Sequence, residues 1–318
     1  MKNLIVSSSP HLQTKNTTQK IMADVLIALS PAAIASVVLY GLKALLILAV
    51  CIATCVLSEF VFNLTVKKKQ TVSDLSACVT GTLLGLSLPA TASVWHCIVG
   101  SVFAIVVVKC LFGGIGCNFA NPAVTARVFL LIAFAASLGG GTATVFADAD
   151  LVAGATPLAA IKDGNTDALP SLLDMLLGNR AGAIGEGCAV ALILGGVYLI
   201  VRKVINWYTP VISIGTVFVL SLIIEQSFTL ALYEVLGGGL IIAAFFMATD
   251  YSTTPLNKYG KMVFALGFAL LTVLIRFTSS YPEGVSFAIL LMNILSPYIE
   301  KLCARRPFGK EVKKNEKQ

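Results

Sequence analysis

Apolar residues gather into ten runs, at about 21–40, 44–64, 75–95, 97–112, 122–141, 183–201, 211–225, 228–248, 262–277 and 284–301. Most approach the roughly 20 residues that a helix needs to cross a hydrocarbon core. The pattern predicts an all-α polytopic membrane protein of about ten transmembrane helices. Gly and Pro interrupt several runs, which is tolerable where neighbouring helices re-satisfy the backbone.

Charge in the connections orients the chain. Lys2, Lys15 and Lys20 precede the first run, and Lys67, Lys68 and Lys69 follow the second. Arg202 and Lys203 follow the sixth, Lys258 and Lys261 the eighth, and Arg305, Arg306, Lys310, Lys313, Lys314 and Lys317 the tenth. With ten spans all of these fall on one side, so both termini are expected in the cytoplasm. Segment 142–182 is expected outside. There Asp148, Asp150, Asp163, Asp167 and Asp174 outweigh Lys162 and Arg180.

The expected organisation is a cytoplasmic segment 1–20, a five-helix half 21–141, the outer loop 142–182, a second half 183–301 and a basic tail 302–318. An odd number of spans per half makes any internal repeat inverted across the membrane. A faint echo supports one: Ala90-Thr91 then Gly100–Ala104 in the first half, Ala248–Asp250 then Val263–Ala265 in the second.

Composition agrees. The 318 residues are 57% hydrophobic and 12% charged, with a mean hydropathy of +0.88. Soluble domains run at about 45–50% apolar and about 25% charged. The net charge of +7 sits at the ends and in short loops, with no Arg/Lys face interleaved with aromatics, so no nucleic-acid partner is expected. The polar first twenty residues do not read as a secretory signal, and the first span is expected to direct insertion. Eight cysteines show neither a C-x-x-C pair nor metal spacing. No disulfide framework is expected, and an iron–sulfur ligand only if a partner supplies the other thiolates. Cys51 and Cys55 read as small core residues, and Cys117 in its glycine-rich loop is the one to watch.

Four segments stand apart. The first is Gly113–Ala123 (GGIGCNFANPA), with Arg127 a turn or so beyond. It reads either as a tight interhelical turn or as a place where Asn118 and Asn121 meet a flat ligand. A charge such as Arg127 near a span's end needs pairing or an interfacial position. The second is Ala153–Leu158 (AGATPL), a type I or II turn presenting a threonine accessible to a modifying enzyme. The third is Met247–Pro255 (MATDYSTTP), where Asp250 among hydroxyls suits a hard cation or a hydrogen-bond network, or simply ends a helix. The fourth joins Arg276 to Tyr281–Ala288, with Asn293 beyond. Arg276 and Glu283 read most simply as an interfacial ion pair.

Glu59, Glu186 and Glu234 fall inside runs. Intramembrane carboxylates mark ion routes by default, although each of these could also reach the interface. His11 and His96 read as structural side chains, and Trp95 and Trp207 as interfacial belt residues.

Taken in order, Ser7–His11, GGIGCNFANPA, AGATPL, Gly185-Glu186, MATDYSTTP and YPEGVSFAILLMN resemble the D subunits of the Rnf ion-translocating oxidoreductases. The B subunits of the sodium-translocating NADH:quinone reductases are related. The short N-terminus with SSSPH favours the former. The resemblance spans residues 7 to about 300.

It implies an electron-transfer subunit in a bacterial or archaeal cytoplasmic membrane. The complex would couple ferredoxin:NAD⁺ electron transfer to Na⁺ or H⁺ export. FMN would be joined through its phosphate to Thr156, within Gly154, Ala155 and Pro157. Ala153 replaces the commoner polar residue of that motif, and Asp163-Gly164-Asn165-Thr166 offers a rival threonine. A second, non-covalent flavin such as riboflavin is expected near Asn118, Asn121 and Arg127. Expected partners are iron–sulfur and flavin subunits, which would carry the NAD and ferredoxin sites, and a flavin transferase. Glu59, Glu186 and Asp250 are the expected ion path, and no catalytic or metal-ligating residue is expected. The alternatives are a stand-alone secondary transporter with a midplane site and no flavin, and a purely structural subunit.

Overall fold

The computed structural model describes residues 17–138, 141–142, 153–154, 156–164, 169–279, 281 and 283–304. Ser7–His11, Lys2, Lys15, Asp148, Asp150, Ala155, Asn165, Thr166, Asp167, Pro282 and the basic tail from Arg305 lie outside these residues.

Helices occupy every one of the predicted apolar runs. The first half contributes α1 (Thr18–Tyr40), α2 (Leu42–Thr65), α3 (Ser76–Ser87), α4 (Val94–Cys110), α5 (Pro122–Ala133) and α6 (Ala135–Leu138). Two short helices follow, α7 (Pro157–Lys162) and α8 (Leu172–Leu177). The second half contributes α9 (Ala189–Val201), α10 (Tyr208–Glu225), α11 (Phe228–Leu236), α12 (Leu240–Met247), α13 (Lys258–Thr278) and α14 (Val285–Leu302). A two-residue antiparallel pairing of Gly141-Thr142 with Ala153-Gly154 is the sole strand pairing among the described residues.

Five helices, α1, α2, α10, α13 and α14, are long and apolar enough to cross a membrane. The pair α11–α12 makes a sixth if it is one span, bent by 62°. The chain is therefore a polytopic membrane protein. The remaining apolar helices are shorter than the sequence runs for a local reason. Leu88-Pro89 ends α3, because the residue before proline is pushed out of helical conformation. At the bend, Gly238 takes φ +61°, a left-handed conformation that glycine adopts without steric cost. Run 183–201 becomes a helix only from Ala189; Ile184–Glu186 is a separate 3-10 turn, so Glu186 precedes the long helix instead of opening it.

Two stretches widen into π-helix, Phe103–Cys110 at the end of α4 and Ala243–Met247 in α12. The halves join where α1 packs on α9 and α5 on α14. Close packing rests on small residues. A Cβ on Gly81 of α3 would lie 2.7 Å from the Ile52 Cα of α2. Lipid-facing surface is apolar, with Leu42, Leu64 and Val201 among many exposed side chains. Trp95 and Trp207 are exposed at the starts of α4 and α10.

Candidate cofactor and ion site

Two of the four singled-out segments come together. Asn121 caps α5: its Oδ1 accepts from the Ala123 and Val124 backbone N–H groups at 3.1 and 3.4 Å. Its Nδ2 donates to Asp250 Oδ2 at 3.4 Å, and Asn118 Nδ2 donates to Ser252 Oγ at 3.4 Å. Asp250 also accepts from the Ser252 hydroxyl at 3.0 Å and the Thr253 hydroxyl at 3.3 Å. In MATDYSTTP the hydroxyls thus bond the Asp250 carboxylate in the turn that follows the helix end at Met247. Burial raises the Asp250 carboxyl above the usual carboxylate range, and the bonds from Ser252 and Thr253 oppose that rise.

These motifs edge a cavity of about 760 Å³, a volume that includes its open mouth. Its walls are mainly apolar, from Val25, Val79, Leu83, Phe245 and Phe246; its polar edge is Asn118, Asn121, Asp250, Ser252, Ser76 and Lys109. A concave space with mainly apolar faces and a few convergent polar groups is the usual form of a small-molecule site.

Arg127 does not join Asn118 and Asn121 there. It lines a separate, small space with Glu186, Gly239, Glu283 and Ser286. Arg127 is 4% exposed; Nη2 stands 3.9 Å from Glu283 Oε2, and Nη1 has no hydrogen-bond partner among the described residues. Glu186 is buried without a basic group at ion-pair distance among the described residues, and its Oε2 faces the Ala183 N–H at 3.5 Å. Nearby Arg180 donates to the carbonyls of Glu186 and Leu236 at 2.8 and 2.7 Å.

The expected Arg276–Glu283 ion pair is not the one formed. Arg276 Nη1 pairs with Glu234 Oε2 at 2.9 Å, both side chains buried, while Glu283 offers Arg276 only its backbone carbonyl, at 3.3 Å. The bend after α11 brings Glu234 to Arg276, and the Gly237 carbonyl takes Nη2 at 3.3 Å. Neither Glu186 nor Glu234 reaches the surface.

Glu59 is likewise buried and is held by Lys109, whose Nζ lies 2.8 Å from Glu59 Oε2. Sequence reasoning passed over Lys109, although a lysine inside run 97–112 was the signal for a partner to Glu59. A third carboxylate, Asp24 of α1, binds Arg202 after α9 through both oxygens at 3.1 Å.

Thr156 departs from its expected setting. It is 6% exposed, and it N-caps α7 rather than sitting in an open turn, its Oγ1 accepting from Ala159 N–H at 3.2 Å. Pro157 at the first helical position explains the helix, because its fixed φ suits that position. Leu158 then packs against Gly237 and Gly238, and Lys162 donates to the Arg276 carbonyl at 3.2 Å, which seats α7 over the bend. Gly154 lies in the short strand pairing just before.

Among the expected structural side chains, His96 Nδ1 contacts Ser93 Oγ at 2.9 Å and its ring lies 4.7 Å from that of Phe134. Cys51 and Cys55 are buried in the core and Cys117 is exposed.

Broken helices, buried charge pairs and a cavity lined from both halves define a polytopic membrane protein with an internal site. The sequence pattern of the NQR2, RnfD, RnfE family matches residues 5–309, and the chain belongs to that family. It is 44% identical to the D subunit of the Na⁺-translocating ferredoxin:NAD⁺ oxidoreductase complex of Acetobacterium woodii, over 99% of this chain and 98% of that one. It is 38% identical to the D subunit of the proton-translocating ferredoxin:NAD⁺ oxidoreductase complex of Clostridium ljungdahlii, over 97% of each chain. The D subunit of the ion-translocating oxidoreductase complex of Halorhodospira halophila is 36% identical, over 95% of each.

Proposed function

We propose that this subunit of an ion-translocating oxidoreductase carries electrons across the membrane through flavin, with FMN bound covalently to Thr156. The sequence relatives support membership of an Rnf-type complex with ferredoxin and NAD⁺ as its electron partners. The observation that carries the flavin reading is Thr156 itself. It caps α7, which is seated over the bend through Leu158 and Lys162, and a separate space holds buried Arg127, whose Nη1 lacks an acceptor among the described residues. Arg127 as donor and Glu186 as acceptor fit a ring edge that presents both carbonyls and an N–H. Asn118, Asn121 and the apolar walls fit a second, non-covalent flavin in the larger cavity. A flavin exchanges one or two electrons and so links one-electron carriers.

This reading takes all ten apolar runs as crossings in two inverted five-helix halves, with both termini in the cytoplasm of a bacterium or archaeon. The packing of α1 on α9 and of α5 on α14 supports it. Glu59, Glu186 and Asp250 are the proposed ion path. The transported ion is Na⁺ or H⁺, the two named among the relatives. Because Thr156 is buried once α7 is seated, the flavin transferase acts before α7 docks on the bend.

The test is flavin fluorescence in a denaturing gel, on chain co-expressed with its flavin transferase. The wild-type band fluoresces and Thr156→Val is dark. A dark wild-type band with an active transferase overturns the covalent reading.

A further inference from the structure

Lys109 is a charged residue that the proposed function leaves unused. It stands in the widened end of α4, 3% exposed. Its ammonium donates to Glu59 Oε2 at 2.8 Å and to Ser76 Oγ at 2.7 Å. Thr71 donates to the other Glu59 oxygen at 2.6 Å, and Asn63 backs Thr71 at 3.0 Å. Two of the three ammonium donors are therefore used by one carboxylate and one hydroxyl. Lys109 and Ser76 are also part of the wall of the larger cavity. One lysine thus borders two places, a buried carboxylate site and a ligand cavity.

We propose that Lys109 is a tethered cation shared between Glu59 and the cavity. It fills the Glu59–Ser76 site at rest and yields it to a free monovalent cation when negative charge enters the cavity.

The argument is electrostatic and rests on the reading that the cavity holds a redox-active ring. A carboxylate buried as deeply as Glu59 needs a cationic partner, because burial strips it of hydration. Whatever draws the ammonium off therefore makes Glu59 take up one cation. One electron delivered into the cavity, supplied by the reduced carrier that the complex oxidises, adds one negative charge. Lys109 compensates that charge, and one cation meets Glu59, Ser76 and Thr71. When the electron passes to the next carrier, Lys109 returns and displaces the cation. One electron and one cation enter, and one of each leaves. A carboxylate with two hydroxyls is a hard oxygen set, suited to a small hard cation. The wide π-turns around Lys109 are the kind of helix irregularity that recurs at functional sites.

The test uses the full chain purified with Thr156→Val, so that any remaining flavin is non-covalent. Flavin released on denaturation is measured first; none released overturns the reading of the cavity, independently of Lys109. With flavin present, Lys109→Met shifts its midpoint potential down and Glu59→Gln shifts it up, because the first removes a positive and the second a negative charge. Thermal unfolding in NaCl against choline chloride gives a second readout that needs no flavin. Lys109→Met gains a stabilisation by Na⁺ that the wild type lacks, and adding Glu59→Gln removes it. The same gain on lowering the pH, in place of Na⁺, assigns the site to a proton. Shifts of the same sign in both variants, or no cation-specific gain, make the pair structural only and overturn the proposal. Should Lys109→Met not fold, Ser76→Ala loosens the ammonium without removing its charge and is expected to raise the potential; no change there overturns it equally.

Discussion

Asn121 and Asp250 lie 129 residues apart in sequence and meet through a 3.4 Å contact between Nδ2 and Oδ2. Asn121 spends its oxygen on starting α5 and its nitrogen on Asp250. Asp250 in turn orders the turn that follows α12, where the Thr254 hydroxyl donates to its backbone carbonyl at 2.6 Å. A helix start from the first half and a helix end from the second thereby form one polar edge of the larger cavity.

That dual use separates two effects by substitution. Asn121→Ala removes the cap, at a cost of about 1 kcal/mol, together with the donor to Asp250. Asn121→Asp keeps a capping oxygen but sets a second carboxylate against Asp250. Both are expected to lower the non-covalent flavin released on denaturation while the covalent fluorescence at Thr156 persists. Loss of both signals together in Asn121→Asp would mean that the residue acts on the fold alone.

The Arg276–Glu234 pair predicts a non-additive pair of substitutions. Removing one partner of a buried pair costs about 3–5 kcal/mol, because the other charge is left uncompensated. Arg276→Met and Glu234→Gln are each expected to lower the thermal midpoint of the solubilised chain sharply. The double variant Arg276→Met with Glu234→Leu should recover most of it. Glu283→Gln should lower it far less, since the Glu283 carboxylate stands 3.9 Å from Arg127 and is partly exposed. The reverse order would restore the Arg276–Glu283 pairing.

Gly81 predicts a steric effect. Its absent Cβ would meet the Ile52 Cα at 2.7 Å, and backbone cannot swing aside as a side chain can. Gly81→Val is expected to cost about 1–3 kcal/mol by overpacking, read as a lower thermal midpoint. Gly215, where nothing lies within 4 Å, serves as the control, and Gly215→Ala should be neutral or slightly stabilising.

The sequence made several features of the site legible because they are local. The two asparagines before a proline, the hydroxyls after Asp250 and the threonine before Pro157 are short patterns with a local cause. Thr156 shows where such reading stops. Its turn chemistry was visible, but Thr156 is buried, and Leu158 and Lys162 seat its helix against groups on the bend and on α13, far along the chain. Arg276 shows the same limit. Glu283 was the nearer acid in sequence, yet the 62° bend presents Glu234 instead.

The chain by itself determined that lipid is its solvent, which of its runs are apolar helices and which of its segments are unusual. Those properties follow from the order of apolar and polar side chains, which each residue carries wherever it is placed. Only the tertiary structure decided the partners of the buried charges. It paired Lys109 with Glu59, Arg276 with Glu234 and Arg202 with Asp24. It also split Arg127 from the asparagines that precede it and joined those asparagines to Asp250. Pairing depends on which helix faces which, and so on glycine contacts, helix breaks and the bend after α11. A charge inside a membrane needs a partner, but its own position in sequence does not say which one.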